Sequence, residues 1–191
     1  MNIGRLIART LIGALFVGHG TQKLMGWFGG PGLEGTAGMM RSLEMHPPRR
    51  NALAAGVTET AGGALLTLGL ATPLASAGLI GTMITAVRKV HWSKGPWVAG
   101  GGYEYNLVQI AALLALAEQK PGDISLDSAL GLDWTGFRWP LAALGAGAAA
   151  STATVWLGGR AAAERDERDE RDEPTTVEER GGSHRTSTGP E

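Results

Sequence analysis

The chain has 191 residues, 43% of them hydrophobic, no cysteine, and a formal net charge of −1. Without cysteine there is no disulfide, no thiol nucleophile and no cysteine-held zinc or iron–sulfur cluster, and a near-neutral balance predicts no nucleic-acid partner. The mean hydropathy near zero averages two unlike parts: residues 1–159, rich in Ala, Leu, Gly, Ile and Val, and residues 160–191, with ten Asp and Glu and six Arg.

The first apolar segment, residues 5–25, is long enough to cross a ~30 Å hydrocarbon core at 1.5 Å per residue. Arg9 lies near one end, where its side chain is expected to snorkel to the interface. The segment runs on into His19 and Lys23 without an Ala-x-Ala-like cleavage site, so it reads as a retained membrane helix. His19, Gln22 and Lys23 are spaced i, i+3 and i+4 and share one helix face. Residues 26–50 read as a loop with an aromatic pair, Trp27-Phe28, and a short surface helix stopped by Pro47-Pro48.

The second segment, residues 51–70, is apolar and small apart from Glu59, and its glycines permit close helix approach in lipid. Thr72-Pro73 marks a turn, with Thr72 the expected N-cap and Pro73 at the first helical position. The third segment, residues 73–90, ends in Arg88, Lys89, Val90, His91 and Trp92. After a Gly- and Trp-rich loop, the fourth, residues 103–117, opens with Tyr103, Glu104, Tyr105 and Asn106. A fifth run, residues 139–157, is bracketed by Trp139 and Trp156, about 25 Å apart on a helix, which matches interfacial aromatic belts. Its Ala and Gly content makes it weakly hydrophobic, so a hairpin or peripheral helix is the alternative to a span. The tail, residues 160–191, is too charged to build a core and is expected to be disordered, with a transient helix at 161–173 open to it through paired charges.

An antiparallel arrangement of these spans brings the end of the first, the start of the second, the end of the third and the start of the fourth to one side. His19, Gln22, Lys23, Glu59, His91, Tyr103, Glu104 and Asn106 therefore converge in one half of the membrane. The opposite side is expected to hold only Arg5, Arg9 and short connectors. Ionisable side chains are costly in hydrocarbon, about 2.5–3.5 kcal/mol each on insertion scales, so they face inward and pair. Lys23 or His19 with Glu59 or Glu104 is the expected pairing. Each also has a structural reading: a bond across the bundle for His19, snorkelling for Lys23, an interfacial anchor for His91, a helix N-terminal acid for Glu104.

His19-Gly20-x-Gln22-Lys23-Leu24, then Glu59-x-x-Gly62-Gly63-x-Leu65, His91, Gly101-Gly102-Tyr103-Glu104-Tyr105 and Ser125-Leu126-Asp127 resemble, in order and spacing, the DoxX family of bacterial membrane proteins. The likeness covers about residues 3–131. It implies an all-α fold, an integral membrane four-helix bundle. The domain reading is then 1–131 for that bundle, 132–159 for an additional transmembrane helix, and 160–191 for a disordered charged tail. The family takes its name from a subunit of an archaeal thiosulfate:quinone oxidoreductase. An actinobacterial relative is associated with a membrane oxidoreductase complex in redox and thiol stress, and the wider group includes assembly chaperones and cargo receptors.

Two functions follow as expectations. In the first, the chain is a quinone-linked subunit of a membrane oxidoreductase. Glu59 and Glu104 transfer protons, His19, Gln22, Lys23, His91, Tyr103 and Asn106 bind the ligand, no metal is held and no cofactor is covalently bound. In the second, it is a non-catalytic scaffold or assembly subunit for a partner enzyme. Transport of a small acid or sulfur anion is a third, weaker reading, since no transporter-like repeat is evident. The expected location is the bacterial plasma membrane, multi-pass. Arg41, Arg49, Arg50, Arg88, Lys89 and Lys94 favour cytoplasmic long loops and tail.

Overall fold

The architecture follows from where small and polar residues interrupt the apolar sequence. The structure is a computed structural model that describes residues 3–120 and 122–172. Among these residues there is no strand: the elements are α1 (Ile3–Met25), α2 (Gly32–Ser42), α3 (Pro48–Leu68), α4 (Thr72–Ala86) continued by a π-helical turn (Val87–His91), α5 (Glu104–Glu118), α6 (Leu126–Ala129) and α7 (Arg138–Asp172).

α1 and α3 run antiparallel at close range because glycine lies at each contact. A Cβ on Gly63 would sit 2.5 Å from the Gly13 carbonyl oxygen and 2.7 Å from the Val17 nitrogen. α4 is the central helix, packed on α3, α5 and α7. Ser76 Oγ donates to the Leu113 carbonyl of α5 at 3.2 Å. The run at 139–157 joins the fold as part of α7, parallel to α4: Gly81 lies against Gly147, and Thr85 Oγ1 donates to Ser151 Oγ at 2.9 Å. α7 then continues through the charged stretch as far as Asp172, so residues 160–172 are helical, as the alternative of a charge-paired helix at 161–173 allowed, and not disordered. Arg160–Glu164, Arg165–Asp169 and Glu167–Arg171 pair at i, i+4 along it. The remainder of the tail, 173–191, lies outside the described residues.

The polarity is inverted relative to a water-soluble bundle. Ile3, Ile7, Leu11 and Leu15 form an exposed stripe on α1, and Leu141, Leu144, Trp156 and Leu157 lie exposed on α7. The interior instead buries Arg9, Glu59, Ser76, Asn106, Gln109, Asp127 and Ser151. Among the described residues, one helix, Arg138–Asp172, is long and apolar enough to cross a membrane by length and composition alone. The sequence favours the first four segments over the fifth as spans, and the interruptions in those four account for the difference. α1 carries Arg5, Arg9 and Lys23, α3 begins with Arg49 and Arg50 and is rich in small residues, and α4 and α5 have only 15 residues each.

Two expectations at the end where α1 begins are corrected. Arg9 does not snorkel: it is 3% exposed, and its Nη2 donates to the Ile124 carbonyl at 2.7 Å. Thr72 is not the N-cap of α4. That position is Ala71, at φ +46°, and its N–H is taken by Asp127 Oδ1 at 2.9 Å. Asp127 is fully buried, and its own N–H donates to the Gly69 carbonyl at 3.0 Å. Gly69, at φ +65°, leaves no room for a Cβ beside the Arg9 guanidinium. The polar groups are therefore not confined to one end. A second buried cluster, Arg9 with Asp127, fastens the connector after α5 across the α1 start and the α3–α4 turn.

Candidate functional site

At the opposite end the helices diverge around a cavity of about 520 Å³. Its wall is largely apolar, with Leu15 and Phe16 from α1 and Ala54 and Ala55 from α3. Met39, Met40, Met45 and Met83, four of the six methionines, also line it. Unbranched thioethers adapt to ligands of irregular shape. The volume falls in the range of small-molecule pockets, which are mostly apolar with a few placed polar groups.

The polar groups come from five elements. Lys23 of α1 forms an ion pair with Glu59 of α3 at hydrogen-bond contact, and both line the cavity. Glu59 is the drier partner, with its side chain 6% exposed against 22% for Lys23. Glu59 stands on α3 where Gly56, Gly62 and Gly63 draw the neighbouring helices in, so the carboxylate reaches across to α1 without meeting water. Asn106 and Gln109 of α5 are buried; Asn106 Nδ2 lies 3.4 Å from Met83 Sδ and Gln109 Nε2 donates to Tyr105 Oη at 2.7 Å. His19 lines the cavity from a more exposed position on α1, and Ser151 and Thr154 of α7 contribute hydroxyls.

His91 belongs to the π turn, Val87–His91, in which Lys89, Val90 and His91 all face the cavity. Three consecutive residues on one wall suit the wider helical turn, and such turns recur at functional sites. His91 Nδ1 lies 2.6 Å from the Gly101 carbonyl oxygen. A carbonyl only accepts, so Nδ1 carries the proton, and in the neutral imidazole Nε2 is an acceptor. His91 in that form suits a ligand hydroxyl; as imidazolium it would donate.

Of the residues expected to converge, the structure brings His19, Lys23, Glu59, His91 and Asn106 to the cavity wall and leaves Gln22, Tyr103 and Glu104 out of it. Gln22 packs against the backbone of Gly30. Tyr103 stacks on Trp92 with ring centroids 5.5 Å apart. Glu104 Oε1 accepts from the Val98 N–H at 2.7 Å, while its own N–H donates to the Pro96 carbonyl at 2.8 Å. Tyr103 and Glu104 thus shape the loop that carries Gly101, and so hold His91. Sequence reasoning missed Gln109, Ser151 and Lys89 at the cavity. Gln109 had a signal: it is one helical turn from Asn106 and Tyr105. No group of three or more His, Cys, Asp or Glu able to hold a metal occurs among the described residues.

Comparison with known proteins bears on residues 4–92, which match the DoxX family model. These residues carry a likeness to the DoxX domain. The matched stretch holds α1 to the π turn, and with them Lys23, Glu59 and His91. DoxX proteins are membrane proteins, which agrees with the exposed apolar stripes and the buried charges. No curated protein and no solved structure matches the chain. The polar cavity residues Tyr105, Asn106, Gln109, Ser151 and Thr154 lie beyond the matched stretch.

Proposed function

We propose that this DoxX-like protein is a multi-pass protein of the bacterial plasma membrane, in which α1, α3, α4 and α5 form a bundle and α7 adds a further span. Its cavity receives the head group of a lipid-soluble quinone or quinol as part of a membrane oxidoreductase complex. The observation that carries this is a buried carboxylate, Glu59, paired with Lys23 at the polar end of a largely apolar cavity. A quinone ring needs such a combination: apolar walls for the ring and tail, and a proton-exchanging group beside its oxygens. Glu59 is the proton-transfer group, His91 accepts from the hydroxyl of the quinol, Asn106 donates to a quinone or quinol oxygen, and His19 stands at the more exposed rim. Glu104 remains a second proton-transfer candidate, at one remove through the loop that it orders. Tyr103 acts with it there, and Gln22 supports the end of α1.

The test is to isolate the protein in mild detergent and measure bound quinone by extraction and mass spectrometry, then to titrate quinone into wild type and Glu59→Gln. The reading expects quinone to be retained and the substitution to weaken it. Absence of quinone binding, with Glu59→Gln behaving as wild type, refutes it.

One observation favours a scaffold instead. Lys23 and Glu59 already neutralise each other, so the pair can serve to fasten α1 to α3 without handling a ligand. Around it, Trp27, Phe28, Trp92 and Trp97 lie exposed on the loops, where a partner subunit would meet them. Co-purification of a stoichiometric partner without quinone would select this reading.

A further inference from the structure

The charged groups on the cavity wall do not balance. Lys23 and Glu59 form an ion pair. Lys89 also lines the cavity, and among the described residues it makes no ion pair or hydrogen bond. Its neighbour Arg88 behaves differently: it is exposed, and its Nη1 lies 3.3 Å from Thr152 Oγ1 on the outside of α7. The π turn accounts for the contrast, because its extra residue per turn brings Lys89 onto the same wall as Val90 and His91. Lys89 is half-buried beside apolar walls and in no ion pair among the described residues, so its ammonium gains from an arriving counter-charge.

We infer that Lys89 is the anion-recognising residue of this cavity, which therefore takes an amphiphile whose polar end is an ionised oxygen on an apolar body. This rests on the reading that the cavity holds a lipid-soluble ligand, and it adds the charge state in which that ligand binds. Two sources share the chemistry: the enolate of an acidic hydroxyquinone, and the carboxylate of a fatty acid. Asn106 flanks the same space, and its amide N–H can donate to a second oxygen of either. The apolar body lies along the methionines and α3 alanines.

The experiment uses the full chain in phosphatidylcholine nanodiscs and equilibrium binding of matched probes. One pair is a hydroxynaphthoquinone whose ring hydroxyl is ionised at neutral pH, and its neutral O-methyl ether. The other is dodecanoate and dodecanol. Wild type is expected to prefer an anion over its neutral partner by about tenfold, as one charge-assisted contact supplies. Lys89→Met removes the preference and Lys89→Arg restores it. Equal binding of anion and neutral probe by wild type overturns the inference without needing any variant to fold, and so does a preference that survives in a folded Lys89→Met protein. If both naphthoquinones bind alike, the quinone reading stands and the inference fails. If dodecanoate alone binds, through Lys89, the inference stands and the quinone reading fails. If no probe binds, both fail.

Discussion

Lys23→Met and Glu59→Gln remove opposite ends of one ion pair, and the burial of its partners makes the two substitutions unequal. With Lys23→Met, the carboxylate of Glu59 stays 6% exposed and loses its ion-pair partner. Removing one side of a buried pair costs about 3–5 kcal/mol, because the charge left behind is uncompensated. With Glu59→Gln, the charge left behind is the ammonium of Lys23, which is 22% exposed near the end of α1 and can turn outward. The loss then approaches that of one charge-assisted hydrogen bond, about 1.5 kcal/mol. The double change Lys23→Met/Glu59→Leu leaves no charge and should return to within about 1 kcal/mol of wild type. Unfolding in mixed micelles by titration with sodium dodecyl sulfate, followed by tryptophan fluorescence, ranks the four proteins. If Glu59→Gln is as damaging as Lys23→Met, or if the double variant is no better than Lys23→Met, the burial argument is wrong.

Gly63→Ala places a methyl group 2.5 Å from the Gly13 carbonyl and should cost about 1–3 kcal/mol through forced separation of α1 and α3. Gly18→Ala, on α1 with nothing within 4 Å of its Cβ, should be neutral or stabilising by up to about 1 kcal/mol, and the same titration compares them. Asp127→Ala removes the acceptor of the Ala71 N–H and a carboxylate near Arg9, and should cost about 2–3 kcal/mol. Increased proteolysis of the connector between α5 and α7 would report that loss directly. Asp133 lies on this exposed connector, and its carboxyl is held below the usual value of 3.8, chiefly by the hydrogen bond from Thr135 and also by Lys120. A lowered value means that its contribution is present at neutral pH and is lost only as the pH falls below 3.8. Asp133→Asn should therefore leave stability unchanged within error in that acidic range, with any small loss confined to higher pH.

The residues that sequence could place are those whose partners follow from connectivity. An antiparallel first and second segment sets Lys23 opposite Glu59, and glycines seven residues apart, Gly13 and Gly20 on α1 and Gly56 and Gly63 on α3, mark where the two helices touch. Other features depend on contacts that no local period encodes. Arg9 stays buried because a carbonyl 115 residues away, that of Ile124, receives it. Asp127 caps α4 from outside that helix. Glu104 has the composition of a pocket acid, yet its carboxylate is taken by a backbone N–H six residues upstream. Lys89 reaches the cavity through a π turn, which leaves no trace in a 3.6-residue pattern. The fifth apolar run was legible as a helix, but its parallel seat along α4 depends on Gly81, Gly147 and Ser151 meeting in space.

The continuity of α7 sets a distance. On the proposed reading, in which α7 spans with Trp139 and Trp156 near the two membrane boundaries, residues 160–172 add roughly 20 Å of helix beyond the bilayer at 1.5 Å per residue. Asp172 then stands off from the lipid and does not lie on its surface. Because the rod is held by exposed i, i+4 charge pairs, each worth only about 0.3–0.5 kcal/mol and screened by salt, its stiffness is tuned by ionic strength. The spacing is expected to be firmer in dilute buffer than in concentrated salt.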